Sequence, residues 1–167
     1  MRVFFWVENF AVKYPNLNFN IVLYCPEIPN NTGNIGRFCV GTHCRLHLIG
    51  PLGFDISDRA VKRSGLDYWP RLELAVYESY KDFVHQLPSD ARCFYFSKKA
   101  QRSLYDIEFQ PGDYLVFGPE STGFPQSILE TYSTDLVGIP FPGDIRSFNL
   151  SNAVAIATME AYRQNHK

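Results

Sequence analysis

Six short apolar runs, separated by stretches long enough for a helix and nearly free of period-two alternation, constrain this chain more than any other feature. They are NIVLYC (20–25), RLHLIG (45–50), LELAVY (72–77), RCFYFS (92–97), DYLVFG (113–118) and DLVGIP (135–140). Strands that are apolar on both faces belong in a parallel sheet covered by helices on either side. The intervening pattern predicts helices over 32–42, capped by Asn31 or Thr32, over 58–64, capped by Ser57, and over 79–87, 126–132 and 150–164. Pro26 and Pro29 are expected to keep the first of these from starting earlier. The fold class is therefore α/β, a single-domain parallel sheet. At 167 residues with 46% hydrophobic content, the chain can bury one sizeable core.

Several function classes lose support at once. The formal charge is −1 and the pI near 6.4, so nucleic-acid binding would need a local basic patch or a second subunit. Cys25, Cys39, Cys44 and Cys93 form no CxxC pair and have no histidines at zinc spacing, which predicts reduced thiols, no metal and a cytoplasmic setting. The apolar run from Val3 to Val7 stops at Glu8, and no stretch approaches the roughly 18 apolar residues of a membrane span. There is no GxGxxG and no GxxxxGK[ST]; Ser121 lies outside any GxSxG elbow; and His43, His47, His85 and His166 read as packing or surface residues.

The chemistry concentrates where strands end. Three loops, PEIPNNTGNIGR (26–37), GPESTGFP (118–125) and IPFPGDIRSFNLSN (139–152), are rich in Gly, Pro, Ser, Thr and Asn. In open parallel sheets ligands collect outside the carboxyl ends of strands. Glycine lets a ligand approach the main chain, and proline stiffens a loop at low entropic cost. In SFNLSN (147–152), Asn149 or Ser151 can cap the last helix, so the same residues can serve both a helix terminus and a pocket.

In order and spacing, these three loops resemble the three motifs of the SPOUT class of RNA methyltransferases. The stretches NIVLYCPEIPNNTGNIGRFC, LGFDISDRAVKRSGLDYW and NLSNAVAIATMEAYRQ are similar to its TrmL or YibK type, which methylates the 2′-hydroxyl of the wobble nucleotide in certain tRNAs. The likeness spans residues 20 to about 164. Residues 1–19 stand apart as an N-terminal extension, and 20–167 form the methyltransferase domain. Ile145 and Met159 depart from the usual family pattern.

The resemblance implies a trefoil knot at the carboxyl end, a homodimer, S-adenosyl-L-methionine as cofactor and the anticodon loop of tRNA as partner. Carried over by motif, the cofactor contacts are Phe96, Gly118, Ile139, Ser147 and Leu150, with Pro119 beside them. Arg37 is the catalytic residue. A guanidinium keeps its proton and is a poor base, so Arg37 is expected to grip the flanking phosphate and the hydroxyl, with phosphate or water taking the proton. Glu120 is expected to order its loop or approach the partner's site, and Asn31 to assist. On the substrate side Asn34, Ser151 and Asn152 are expected as hydrogen-bonding helpers around the hydroxyl and the cofactor carboxylate; for RNA the candidates are Arg63 and Tyr68, joined by Arg59, Lys62, Trp69, Arg71, Lys98, Lys99 and Arg102, because cations hold phosphates and rings stack unpaired bases. The alternatives are a 2′-O-methyltransferase acting on another RNA site, or a non-catalytic RNA- or nucleotide-binding module of the same fold, which the intact Arg37 and all three loops disfavour.

Overall fold

A computed structural model describes residues 18–57, 60 and 66–165. Among them seven strands form one wholly parallel sheet: β1 (Asn20–Tyr24), β2 (Arg45–Ile49), β3 (Leu74–Tyr77), β4 (Cys93–Phe96), β5 (Arg102–Ser103), β6 (Tyr114–Phe117) and β7 (Leu136–Gly138). Their order is β3-β2-β1-β6-β4-β7-β5. Four α-helices are described, α1 (Pro29–Thr42), α2 (Tyr80–Gln86), α3 (Gln126–Thr131) and α4 (Leu150–Asn165), with three short 3-10 turns at Trp69–Arg71, Leu104–Asp106 and Ser133–Asp135.

Strand side chains alternate between faces, and here both faces are covered, which is why the runs are apolar throughout. Ile21 and Leu23 of β1 join Ile35 and Cys39 of α1 and Val154, Ala157 and Ala161 of α4 in one core. Val22, between them, points the other way, into a second core with Phe83 of α2 and Ile128 and Leu129 of α3. Phe19, at the end of the expected extension, is fully buried and packs its ring 5.5 Å from that of Tyr162.

Among the described residues the expected elements recur with two differences. Helix α1 begins at Pro29, not Thr32, and neither Asn31 nor Thr32 caps it; Ile28 occupies the N-cap position without a side-chain bond. Proline's fixed φ and missing N–H suit the first helical position, so Pro29 starts the helix that it was expected to delay. The two-residue β5, paired with β7 through Arg102↔Val137, had no counterpart among the expected strands. Elsewhere the local chemistry holds. Ser79 caps α2 by accepting from Asp82 N–H at 3.2 Å, and the Asn149 side chain caps α4 by accepting from Ser151 N–H at 2.9 Å. Most of the helix expected over 58–64 lies outside the described residues; Ala60 N–H donates to Ser57 Oγ at 3.4 Å.

One buried polar side chain makes the sheet sensitive to acid. His47 in β2 is 2% exposed. The Asn20 amide donates to Gly112 O at 2.8 Å, so its Oδ1 accepts from His47 Nε2–H at 3.0 Å, while His47 Nδ1 accepts from the Tyr77 hydroxyl at 2.9 Å. Burial, with the Arg45 charge as a smaller cause, lowers the His47 pKa from 6.5 to about 4. Between those values the unfolded chain binds a proton that the folded chain refuses. Stability is therefore full above pH 6.5 and declines as pH falls to 4, by about 3 kcal/mol in all. Urea unfolding of the wild type and His47→Gln across this window is expected to show a slope for the wild type that the variant lacks; equal slopes would refute this.

No helix among the described residues is long and apolar enough to cross a membrane.

Candidate active site

Strands β1, β6, β4 and β7 are neighbours in the sheet, so the loops leaving their carboxyl ends are neighbours too. Together they enclose a cavity of about 380 Å³, within the range for small-molecule sites. All five residues expected to hold the cofactor line it: Phe96 at the end of β4, Gly118 after β6, Ile139 after β7, Ser147 ahead of α4, and Leu150 at its start. Phe96 and Phe117 stack at 4.6 Å to form an apolar wall. The glycine at 118 is required: a Cβ there would lie 2.9 Å from Phe124 N and 3.0 Å from Gly123 C, both main-chain atoms of the same loop.

A hydrogen-bond network fastens the loops to one another. Glu120 accepts from Glu27 N–H at 2.8 Å, Ile28 N–H at 3.3 Å and the Asn31 amide at 3.0 Å. Glu27 in turn accepts from Ser121 N–H at 2.9 Å and its hydroxyl at 2.7 Å. Asn31 Oδ1 accepts from the Asn149 amide at 3.0 Å, and Asn149 Oδ1 accepts from the Ser151 hydroxyl at 2.7 Å. Asn31 is 6% exposed, so its bonds lie where water competes weakly and their loss is costly. The three loops, remote in sequence, are thereby held in one arrangement.

Arg37 does not line this cavity. It lies six residues beyond Asn31 on α1, about 9 Å along the axis and a third of a turn around it. It lines a second cavity, of about 340 Å³, with Asn34 and Tyr68. Its guanidinium sits 4.6 Å above the Tyr68 ring and 3.4 Å from the Asp67 carboxylate. Both partners of that ion pair are mostly exposed, 65% and 78%, and such pairs contribute about 1 kcal/mol or less. A phosphate could replace Asp67 at little cost.

The remaining expected residues divide. Tyr68 is 3% exposed and its hydroxyl donates to Gly33 O, so the structure gives it a packing role beneath Arg37 in place of an open stacking face. Ser151 is engaged by Asn149, and Asn152 is exposed on the first turn of α4; neither lines the first cavity. Arg59, Lys62 and Arg63 lie outside the described residues. Lys98 and Lys99 line the first cavity, as does Arg146, which was not among the expected residues. The position of Arg146 in the third loop was the available signal.

Residues 18–159 match the model of the SpoU rRNA Methylase family. A protein of Burkholderia ambifaria named tRNA (cytidine(34)-2'-O)-methyltransferase is 44% identical over 148 residues, 87% of this chain and 95% of the relative. One of Saccharophagus degradans with the same name is 45% identical over 147 residues, again 87% and 95%. A solved structure described as giving insights into the 2-OH methylation of C/U34 on tRNA superposes with a TM-score of 0.84 at 46% identity, covering 90% of this chain and 98% of that one. The methyltransferase AviRb of Streptomyces viridochromogenes, solved in complex with AdoMet, shares the fold at 19% identity and a TM-score of 0.76, covering 95% and 64%. By sequence and by fold, this chain belongs to the SpoU rRNA Methylase family.

Proposed function

We propose that this chain transfers a methyl group from S-adenosyl-L-methionine to the ribose 2′-hydroxyl of the wobble nucleotide, cytidine or a modified uridine, in the anticodon loop of tRNA. The observation that carries this reading is the convergence of the three loops into one fastened cavity, in a chain whose relatives bear that activity in their names. The residues fit the cofactor. An apolar wall at Phe96, Ile139 and Leu150 suits a flat adenine, main-chain groups beside Gly118 can read its edge, and Ser147 adds a hydroxyl.

When bound, the cofactor supplies an electrophilic methyl on a sulfonium, so the chain needs only to orient the ribose hydroxyl and stabilise the charge that develops on it. Arg37 does both. Its fork donates to the flanking phosphate and to the hydroxyl oxygen, while phosphate or water takes the proton. Lys98, Lys99 and Arg146 at the rim of the cofactor cavity supply phosphate contacts.

The reading includes a homodimer in which Arg37 of one chain serves the cofactor cavity of the other. The separation of Arg37 from that cavity within a single chain supports it. It also includes the carboxyl-terminal trefoil knot that the family resemblance implies, and a cytoplasmic location, where tRNA is found. The test is incubation with methyl-labelled cofactor and tRNA from a host lacking the gene, followed by mapping of the labelled nucleotide. Label on the ribose of nucleotide 34 is expected; label on a base, at another position, or nowhere overturns the reading.

A further inference from the structure

We infer that the second cavity, beside Arg37, is the pocket for the base of the nucleotide whose ribose is methylated, with Phe54 and Trp69 supplying ring faces and Asn30 and Asn34 reading the base edge. This rests on the proposed role of Arg37 at the 2′-hydroxyl. The base is attached to the carbon next to the one bearing that hydroxyl, so whatever grips the hydroxyl must stand beside the base. Arg37 stands in the wall of a cavity of about 340 Å³ with the fittings such a base needs.

One ring of the aromatic wall is held in place. Trp69 packs onto α1 where Gly36 leaves room: a Cβ there would lie 3.3 Å from the indole and 3.4 Å from the Tyr68 ring. Buried Tyr68, bonded to Gly33 O, holds the chain at this point. Trp69 and Phe54 remain partly exposed and line the cavity. Rings placed this way stack an unpaired base, the usual mode of reading single-stranded loops.

The edge readers are unusual in being free. Asn30 and Asn34 are four residues apart, hence on one face of α1; both are exposed, both line the cavity, and neither side chain has a hydrogen-bond partner among the described residues. A carboxamide both donates and accepts. Turned one way it matches the amino group and ring nitrogen of cytosine, turned the other the carbonyl and N–H of uracil. The pocket thereby admits either pyrimidine.

The test uses the full-length protein with two tRNAs that differ only in cytidine or uridine at position 34. Phe54→Ala is expected to raise the KM for tRNA about tenfold or more with kcat little changed, as the loss of one stacking face implies. Phe54→Tyr should restore it, and cofactor affinity should not move. Asn34→Asp, an acceptor only, keeps one bond to either pyrimidine and faces an unpaired acceptor on each, so it is expected to raise the KM about tenfold for both tRNAs. Wild-type KM for both tRNAs in variants that melt like the parent would overturn the pocket. A wild type that binds tRNA without methylating it, paired with weaker binding by Phe54→Ala, would overturn the catalytic reading and leave the pocket standing.

Discussion

Arg37→Ala is expected to slow methyl transfer about 10²–10³-fold while leaving S-adenosyl-L-methionine affinity unchanged. The size follows from its proposed role: a preorganised donor aimed at oxygen that gains charge in the transition state is worth that much in comparable sites. The selectivity follows from its position, since it lines the cavity beside α1 and not the one that collects Phe96, Gly118 and Ile139. Stability should change little, because the Asp67 pair is exposed and the Tyr68 contact is a surface cation–π interaction worth about 0.5–1 kcal/mol. Arg37→Lys should recover only part of the rate, since an ammonium cannot engage phosphate and hydroxyl as a planar fork. Single-turnover transfer from labelled cofactor, with calorimetric titration of the same preparations, separates the two quantities. Parental turnover by Arg37→Ala would remove this residue from the chemistry.

The strands and the ligand end of the sheet were legible because doubly covered strands are written as uninterrupted apolar runs, and because glycine and proline mark the loops that follow. Ile21, Val22 and Leu23 say in three letters that both faces are buried. What escaped was set by long-range pairing or by direction. Strand β5 is two residues long and exists through its contact with Val137 and Gly138. The Glu27–Ser121 and Asn31–Asn149 bonds join positions 94 and 118 residues apart, and no local pattern announces them. Tyr68 carries a polar tip that suits a surface, yet two helix glycines open a slot for its ring and Gly33 O receives its hydroxyl. That Arg37 faces away from the residues of the first cavity was open to arithmetic, since six helical residues from Asn31 lead to another face.

That change of face makes a complementation experiment decisive. In Gly118→Ala the new methyl would meet main-chain atoms of residues 123 and 124 at 2.9–3.0 Å, so the loop must shift and the cavity proposed for the cofactor change shape; cofactor binding is expected to be lost. Each variant alone should be nearly inactive. If the proposed homodimer forms, coexpression of the two chains yields mixed dimers in which one sound cavity belongs to the chain lacking Arg37 and one sound Arg37 belongs to the chain with the damaged cavity. If the guanidinium crosses to the partner, these intact halves meet at one of the two sites. Random pairing about a two-fold axis then restores about a quarter of wild-type turnover. If Arg37 instead swings within its own chain, every site in the mixture combines a defect with a sound half, and turnover stays at background. Purifying mixed dimers through two different affinity tags, and measuring transfer per dimer, distinguishes a site built by two chains from one built by a single chain.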